Sequence, residues 1–224
     1  MSAYDILISR GVTRLCHFTL LKSLTHIISS ENGILASNSI RQDTKTVTDS
    51  IRYDGELDHV CNSVEYPNSW FLKKAIDNND DKIFEDWVVL YIDLQILNIK
   101  KAKFCPCNAA TGRGIYIEDN MENVGSIFDS YVSKYYRTPN MLSACPTNGQ
   151  AEILIKDNIP REYIIGIAVG NEDVAKRVYS MLKINNLTQL PIYIAPDVLT
   201  PNWSSMIRNG RRPNEIRCDW SEEG

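Results

Sequence analysis

The chain has 224 residues, 43% of them hydrophobic and 23% charged, with a formal net charge of −4. That composition suits one well-buried domain, or at most two small ones, and it rules out a global basic field as the source of any nucleic-acid binding. The longest apolar runs, at 87–92 and 164–169, are strand-sized and far too short to span a bilayer, so no membrane partner is expected.

In chain order, Cys16-His17-Phe18-Thr19 opens an amphipathic helix. Thr19 is its expected N-cap, Leu20, Leu24, Ile27 and Ile28 share a face, and Gly33 stands just past the end at about Glu31. Pro67 reads as the first residue of a second helix carrying Trp70, Phe71 and Ala75. Met121, Val124, Phe128, Tyr131 and Tyr135 recur at helical spacing, with Asp119 and Glu122 as a partial capping signal. A further helix from Asn171 buries Val174, Val178, Met181 and Leu182. Strands are expected at 87–92, 114–117, 151–155, 164–169 and 191–194. Helices gather in the first half and no βαβ alternation appears, which favours an α+β fold over a doubly wound sheet. One domain over residues 1–200 is expected, followed by a loosely held C-terminal extension over 201–224.

The six cysteines are irregularly spaced in a long chain without a secretory leader, which suggests reduced thiols in the cytoplasm. Cys105-Pro106-Cys107 resembles half of a metal site, but no second pair or His cluster completes it, so no metal is expected. Basic residues gather at Lys100, Lys101 and Lys103, at Lys134 and Arg137, and from Arg208 to Arg217, as solvated surface or as a local footprint.

Glu152 stands where a loop rich in Pro, Thr, Asn and Gly runs into the alternating strand Ala151-Glu152-Ile153-Leu154-Ile155. A carboxylate there can be aimed into a cleft, or simply be solvated. In a cleft it could stabilise an oxocarbenium-like ribose centre as the bond from nicotinamide to ribose breaks. His17 could meet a ribose or amide group, or pack on Phe18. Arg52 could clamp a pyrophosphate, polarise an acceptor base, or lie on the surface.

Arg14-Leu15-Cys16-His17-Phe18-Thr19 with Gly33-Ile34-Leu35, and Gln150-Ala151-Glu152-Ile153 with Ile159-Pro160-Arg161, resemble matching segments of the DarT family of DNA ADP-ribosyltransferase toxins. The resemblance runs in consistent order over about 12–170. It implies the ADP-ribosyltransferase fold, a split and mainly antiparallel sheet with helices around an NAD cleft. NAD is then a substrate met by His17, Thr19 and Arg52, with Arg52 at the transfer centre and Glu152 the essential carboxylate. Ser63, Tyr66 and Asn68 either line the cleft or pack the start of the second helix. The loop at 136–149 matches the substrate-choosing loop, where Arg137 could hold phosphate, Tyr136 stack a base and Asn140 read an edge; Arg113 is a further phosphate candidate. The implied partners are single-stranded DNA, or RNA, and a macrodomain antitoxin.

Departures from the family pattern are Cys16, where an aromatic is common, and the stretch 61–71, which differs from the best-known thymidine-modifying members. The chain resembles a separate branch, and the identity of the acceptor base is left open.

Overall fold

A computed structural model describes residues 1–40, 53–78 and 86–220. The elements run α1 (Ala3–Ser9), β1 (Leu15–Leu20), α2 (Leu21–Ser29), β2 (Ile34–Leu35), β3 (His59–Val64), α3 (Ser69–Asp77), β4 (Trp87–Ile92), β5 (Ala102–Cys105), β6 (Tyr131–Val132), β7 (Tyr135–Tyr136), β8 (Glu152–Lys156), β9 (Asn158–Ile159), β10 (Ile164–Val169), α4 (Glu172–Ile184), β11 (Ile192–Ile194), α5 (Asn202–Arg208) and β12 (Ile216–Arg217). An eight-stranded sheet in the order β12-β11-β10-β4-β1-β3-β8-β5 forms the spine. Only β10 and β11 pair in parallel; the other neighbours are antiparallel. The fold is α+β, as composition and element order indicate.

β4 is buried at every position because layers cover both faces of the sheet. On one face Leu15, Val88, Leu90, Ile167 and Ile153 meet Leu7, Leu24, Ile28, Val174, Val178 and Leu182 from α1, α2 and α4. On the other, Cys16, Val89, Tyr91 and Ala168 meet Met141, Cys145, Val198, Trp203 and Ile207. Alternate residues of each strand thus serve two separate cores.

Several local expectations change. The helix expected from Thr19 starts at Leu21, and Cys16-His17-Phe18-Thr19 belongs to β1. β1 pairs with β4 along its whole length, from Leu15↔Ile92 to Leu20↔Trp87, and this tertiary pairing overrides the cap-like Thr19. In the second helix Asn68, not a residue before Pro67, is the cap, and its Oδ1 accepts from the Phe71 amide at 3.2 Å. The helical spacing through Tyr135 ends at Phe128; a 3-10 stretch gives way to the β6–β7 hairpin, with Ser133 at φ +57° in its turn. The strand expected at 114–117 is not formed. Gly112, Arg113 and Gly114 all take positive φ, and a Cβ at Gly114 would sit 2.6 Å from the Asp54 carbonyl oxygen, so the chain coils tightly there.

Residues 201–220 are not loosely held. Trp203 and Ile207 of α5 are 2% exposed, and β12 closes the edge of the sheet against β11. Behind them lies a polar tie. The Glu65 carboxylate, fully buried, accepts from the Thr13 amide and from Arg212 Nη1, each at 2.7 Å. Arg14 meets Glu215 through both terminal nitrogens, at 2.9 and 2.5 Å, and lies over the Tyr91 ring at 3.7 Å, while Tyr91 Oη donates to Glu215 at 2.7 Å. Buried charge is tolerable only when paired and hydrogen-bonded this completely.

Candidate active site

The sheet forks between its two central strands. β1 pairs with β3 only at Leu15↔Val64 and Cys16↔Ser63, whereas on its other side it stays paired with β4 to Leu20. Beyond Cys16 the two strands diverge, and His17 stands at the opening. Its Nδ1 lies 3.0 Å from the Cys61 carbonyl oxygen of β3. A carbonyl can only accept, so Nδ1 is the donor in this contact.

Residues directly opposite on paired strands share a face. The registers therefore set one row across the sheet: Tyr91, Cys16, Ser63, Glu152 and Cys105. Glu152 opens β8 between β3 and β5 and is 9% exposed. Its Oε2 accepts from the Ala109 amide at 3.0 Å and its Oε1 from Asn108 Nδ2 at 3.2 Å. A carboxylate gripped at both oxygens on a sheet strand is held in orientation before any ligand arrives.

Ser63, the register partner of Glu152, accepts from the Asn68 amide at 2.8 Å through Oγ. Asn68 is 2% exposed, and its Nδ2 has no hydrogen-bond partner. Such a buried donor is costly unless something satisfies it. Tyr66 belongs to the second core. Its ring stacks on Trp203 at 5.7 Å, is 2% exposed, and takes Arg14 at 5.4 Å; burial raises its phenol above the ordinary range. Thr19 is half-buried two residues past His17, on the same side of β1 by alternation. Arg52 lies outside the described residues.

The loop before Glu152 is braced from within. Arg137 donates to the carbonyl oxygens of Leu142 at 2.7 Å and Cys145 at 2.8 Å, so its guanidinium is a clamp on the loop itself. Tyr136 is 70% exposed on the β6–β7 hairpin, beside Tyr131 at 4.7 Å between ring centres. Asn140 and Arg113 are exposed. At the end of the loop Gly149 slots between two tryptophans; a Cβ there would lie 2.8 Å from Trp203 and 3.1 Å from Trp70.

Sequence reasoning missed Asn108 and Ala109, since nothing in Cys107-Asn108-Ala109 announces a carboxylate clamp. It missed equally the pairing of Glu65 with Arg212, which are far apart in the chain. Among the described residues, Glu56, Asp58 and His59 form the only grouping with metal-ligand spacing, and Lys103 and Lys156 already neutralise its carboxylates. No described helix is long and apolar enough to cross a membrane.

The fold is that of solved ADP-ribosyltransferases. DarT of Thermus sp. 2.9 in complex with ADP-ribosylated ssDNA matches at 18% identity and a TM-score of 0.61, over 84% of this chain and 96% of that one. The same enzyme in complex with NAD+ matches at 19% identity and a TM-score of 0.56, over 78% and 90% of the two chains. Thermosipho africanus DarTG in complex with ADP-ribose matches at 18% identity and a TM-score of 0.57, over 85% of this chain and 52% of that one. No curated protein matches. The family model described as "ssDNA thymidine ADP-ribosyltransferase, DarT" matches residues 16–200. The chain belongs to that family, whose members are NAD-dependent ADP-ribosyltransferases acting on single-stranded DNA.

Proposed function

We propose that the protein cleaves NAD and transfers ADP-ribose to a base in single-stranded DNA, with Glu152 stabilising the oxocarbenium-like transition state. The observation that carries this reading is the grip of Asn108 and Ala109 on both Glu152 oxygens, next to the fork of the sheet. A carboxylate fixed in advance stabilises developing positive charge without reorganising during the reaction, which is the largest electrostatic lever an enzyme has. The unpartnered Asn68 Nδ2 beside Ser63 supports a ligand rich in acceptor oxygens, as a dinucleotide is. His17, Thr19 and Ser63 are assigned to NAD on resemblance. The registers put His17 and Thr19 on the opposite face of the sheet from the row of Cys16, Ser63 and Glu152, so His17 reaches the site from the fork edge of β1. Tyr66, assigned to NAD on the same resemblance, is buried against Trp203 in the second core. Arg52 is assigned to the transfer centre on resemblance alone.

For the acceptor, Tyr136 offers an exposed aromatic face to an unpaired base, with Asn140 and Arg113 as exposed polar contacts. A base inside a duplex cannot reach such a surface without flipping, so the free strand is favoured. A macrodomain antitoxin that removes the modification is the partner this chemistry calls for.

The test offers labelled NAD with single-stranded DNA, its annealed duplex, RNA of the same sequence and bulk protein. Label should enter the single strand, fall on annealing, and weaken as salt rises. An oligonucleotide set lacking one base at a time then identifies the acceptor, with thymidine, the base in the family's description, the first expectation. Label confined to RNA or to polypeptide would overturn the reading.

A further inference from the structure

The grip on Glu152 begins at a pair of thiols. Cys105 ends β5 and is the register partner of Glu152; two residues on, Cys107 turns back so that the sulfurs lie 3.8 Å apart. Both are free and buried, Cys105 at 0% and Cys107 at 5% exposure. Immediately afterwards come Asn108 and Ala109, which hold the two Glu152 oxygens. Two thiols, a proline between them and a carboxylate clamp thus occupy five consecutive residues on one edge of the sheet.

We propose that Cys105 and Cys107 form a reversible oxidation site that switches the Glu152 clamp, with peroxide as the oxidant; the effect on activity rests on the role of Glu152 given above. The Cys107 thiolate attacks peroxide, the O–O bond breaks, and the departing hydroxide takes a proton to become water, leaving a sulfenic acid. The Cys105 thiol then attacks that sulfur, the S–O bond breaks, and a second water leaves with the Cys105 proton. The dithiol loses two electrons and peroxide gains them. Cys107 is suited to the first step. Hydrogen bonds from Cys105, Ser133 and Thr111 favour its thiolate and hold the thiol at about 6, while the same contact and burial raise Cys105.

The bridge must close 3.8 Å to about 2.05 Å. Cys105 is fixed by its pairing with β8, so the movement falls on 107–109. Glu152 then loses or re-aims its two donors. Misplacing a catalytic group by about 1 Å can cost up to a hundredfold in rate.

The protein is treated with hydrogen peroxide, quenched by alkylation and cut with trypsin. Peptide 104–113 contains both thiols and no other cysteine. It should become lighter by two hydrogens and escape alkylation, NAD turnover should fall about tenfold or more, and dithiothreitol should restore both. C107S should keep turnover under the same treatment, and C105S, which lacks the resolving thiol, should show Cys107 oxidised with no bridge; if either variant folds poorly, the reversal by dithiothreitol in the wild type carries the test. Free thiols in peptide 104–113 after peroxide would overturn the proposal, as would a bridge formed with turnover unchanged. Because the readouts are peptide mass and NAD cleavage, failure of transfer to DNA bears only on the proposed function. Normal turnover by Glu152→Gln would remove the role of Glu152 and leave the bridge visible by mass.

Discussion

In the proposed reaction a single carboxylate, Glu152, concentrates the chemistry, and its neighbours decide how that role can be tested. Glu152→Gln keeps the shape of the side chain and the Ala109 contact but removes the charge. NAD turnover should drop on the order of a hundredfold or more, with an unchanged circular-dichroism spectrum and melting point. The thiols give a second, independent readout. Cys107 is held at about 6, whereas burial pushes Cys16 and Cys145 each up to about 12. Alkylation of the reduced protein should therefore rise through about pH 6 at Cys107 and leave Cys16 and Cys145 untouched at neutral pH, as read by peptide mass. Glu152 was legible in the sequence because a polar residue at the start of an apolar strand stands out. Its donors were not, since a backbone amide such as that of Ala109 carries no signature in residue type.

Among the elements, the fork between β1 and β3 opens the sheet beside the row that holds Glu152, and the loop before β8 leads into that row. Arg137 ties that loop to itself through the Leu142 and Cys145 carbonyls, which gives its removal a specific signature. Arg137→Ala should lower transfer at limiting oligonucleotide while slow NAD hydrolysis persists, because β1 and β8 are not disturbed. Hydrolysis falling in parallel would show that the brace supports Glu152 as well. The strands β4, β8 and β10 and the helix α4 were readable, because long apolar runs or a strong amphipathic period fix them. β1 was not. Thr19 looks like a cap and Leu20, Leu24 and Ile28 look like a helical stripe, yet the pairing of Leu15 through Leu20 with β4 decides the matter. β3 and β5 were missed as well, since His59, Asn62 and Lys103 give them a polar look that only their position beside β8 explains.

For the whole molecule, the segment at 201–220 lies beyond the residues matched by the family model yet completes the second core. Its Asn, Ser, Arg and Pro content hides a buried Trp203, Ile207 and Pro213. Trp203→Ala should cost about 3–5 kcal/mol, seen as a lower denaturant midpoint, because it leaves a void against Tyr66, Trp70 and Gly149. Deleting the segment after Thr200 should be worse than any point change. It uncovers the apolar face around Val89 and Tyr91 and strands Glu65 and Arg14 without Arg212 and Glu215. A deletion variant that melts like the full chain would show that the segment is only an appendage.

The tie between Arg14 and Glu215 spans 201 positions in the chain, and that span sets a clock on the ribosome. The first β-strand of the sheet is synthesised early, but the half-buried Arg14 just before it cannot be neutralised until the far partner has been made and released from the exit tunnel. A nascent chain stalled before residue 212 should therefore be sensitive to protease and unable to turn over NAD, while one extended by a linker past residue 220 should resist and react. Activity would then arrive only once residues 212–220 have left the tunnel, leaving the interval of synthesis before that point as a grace period.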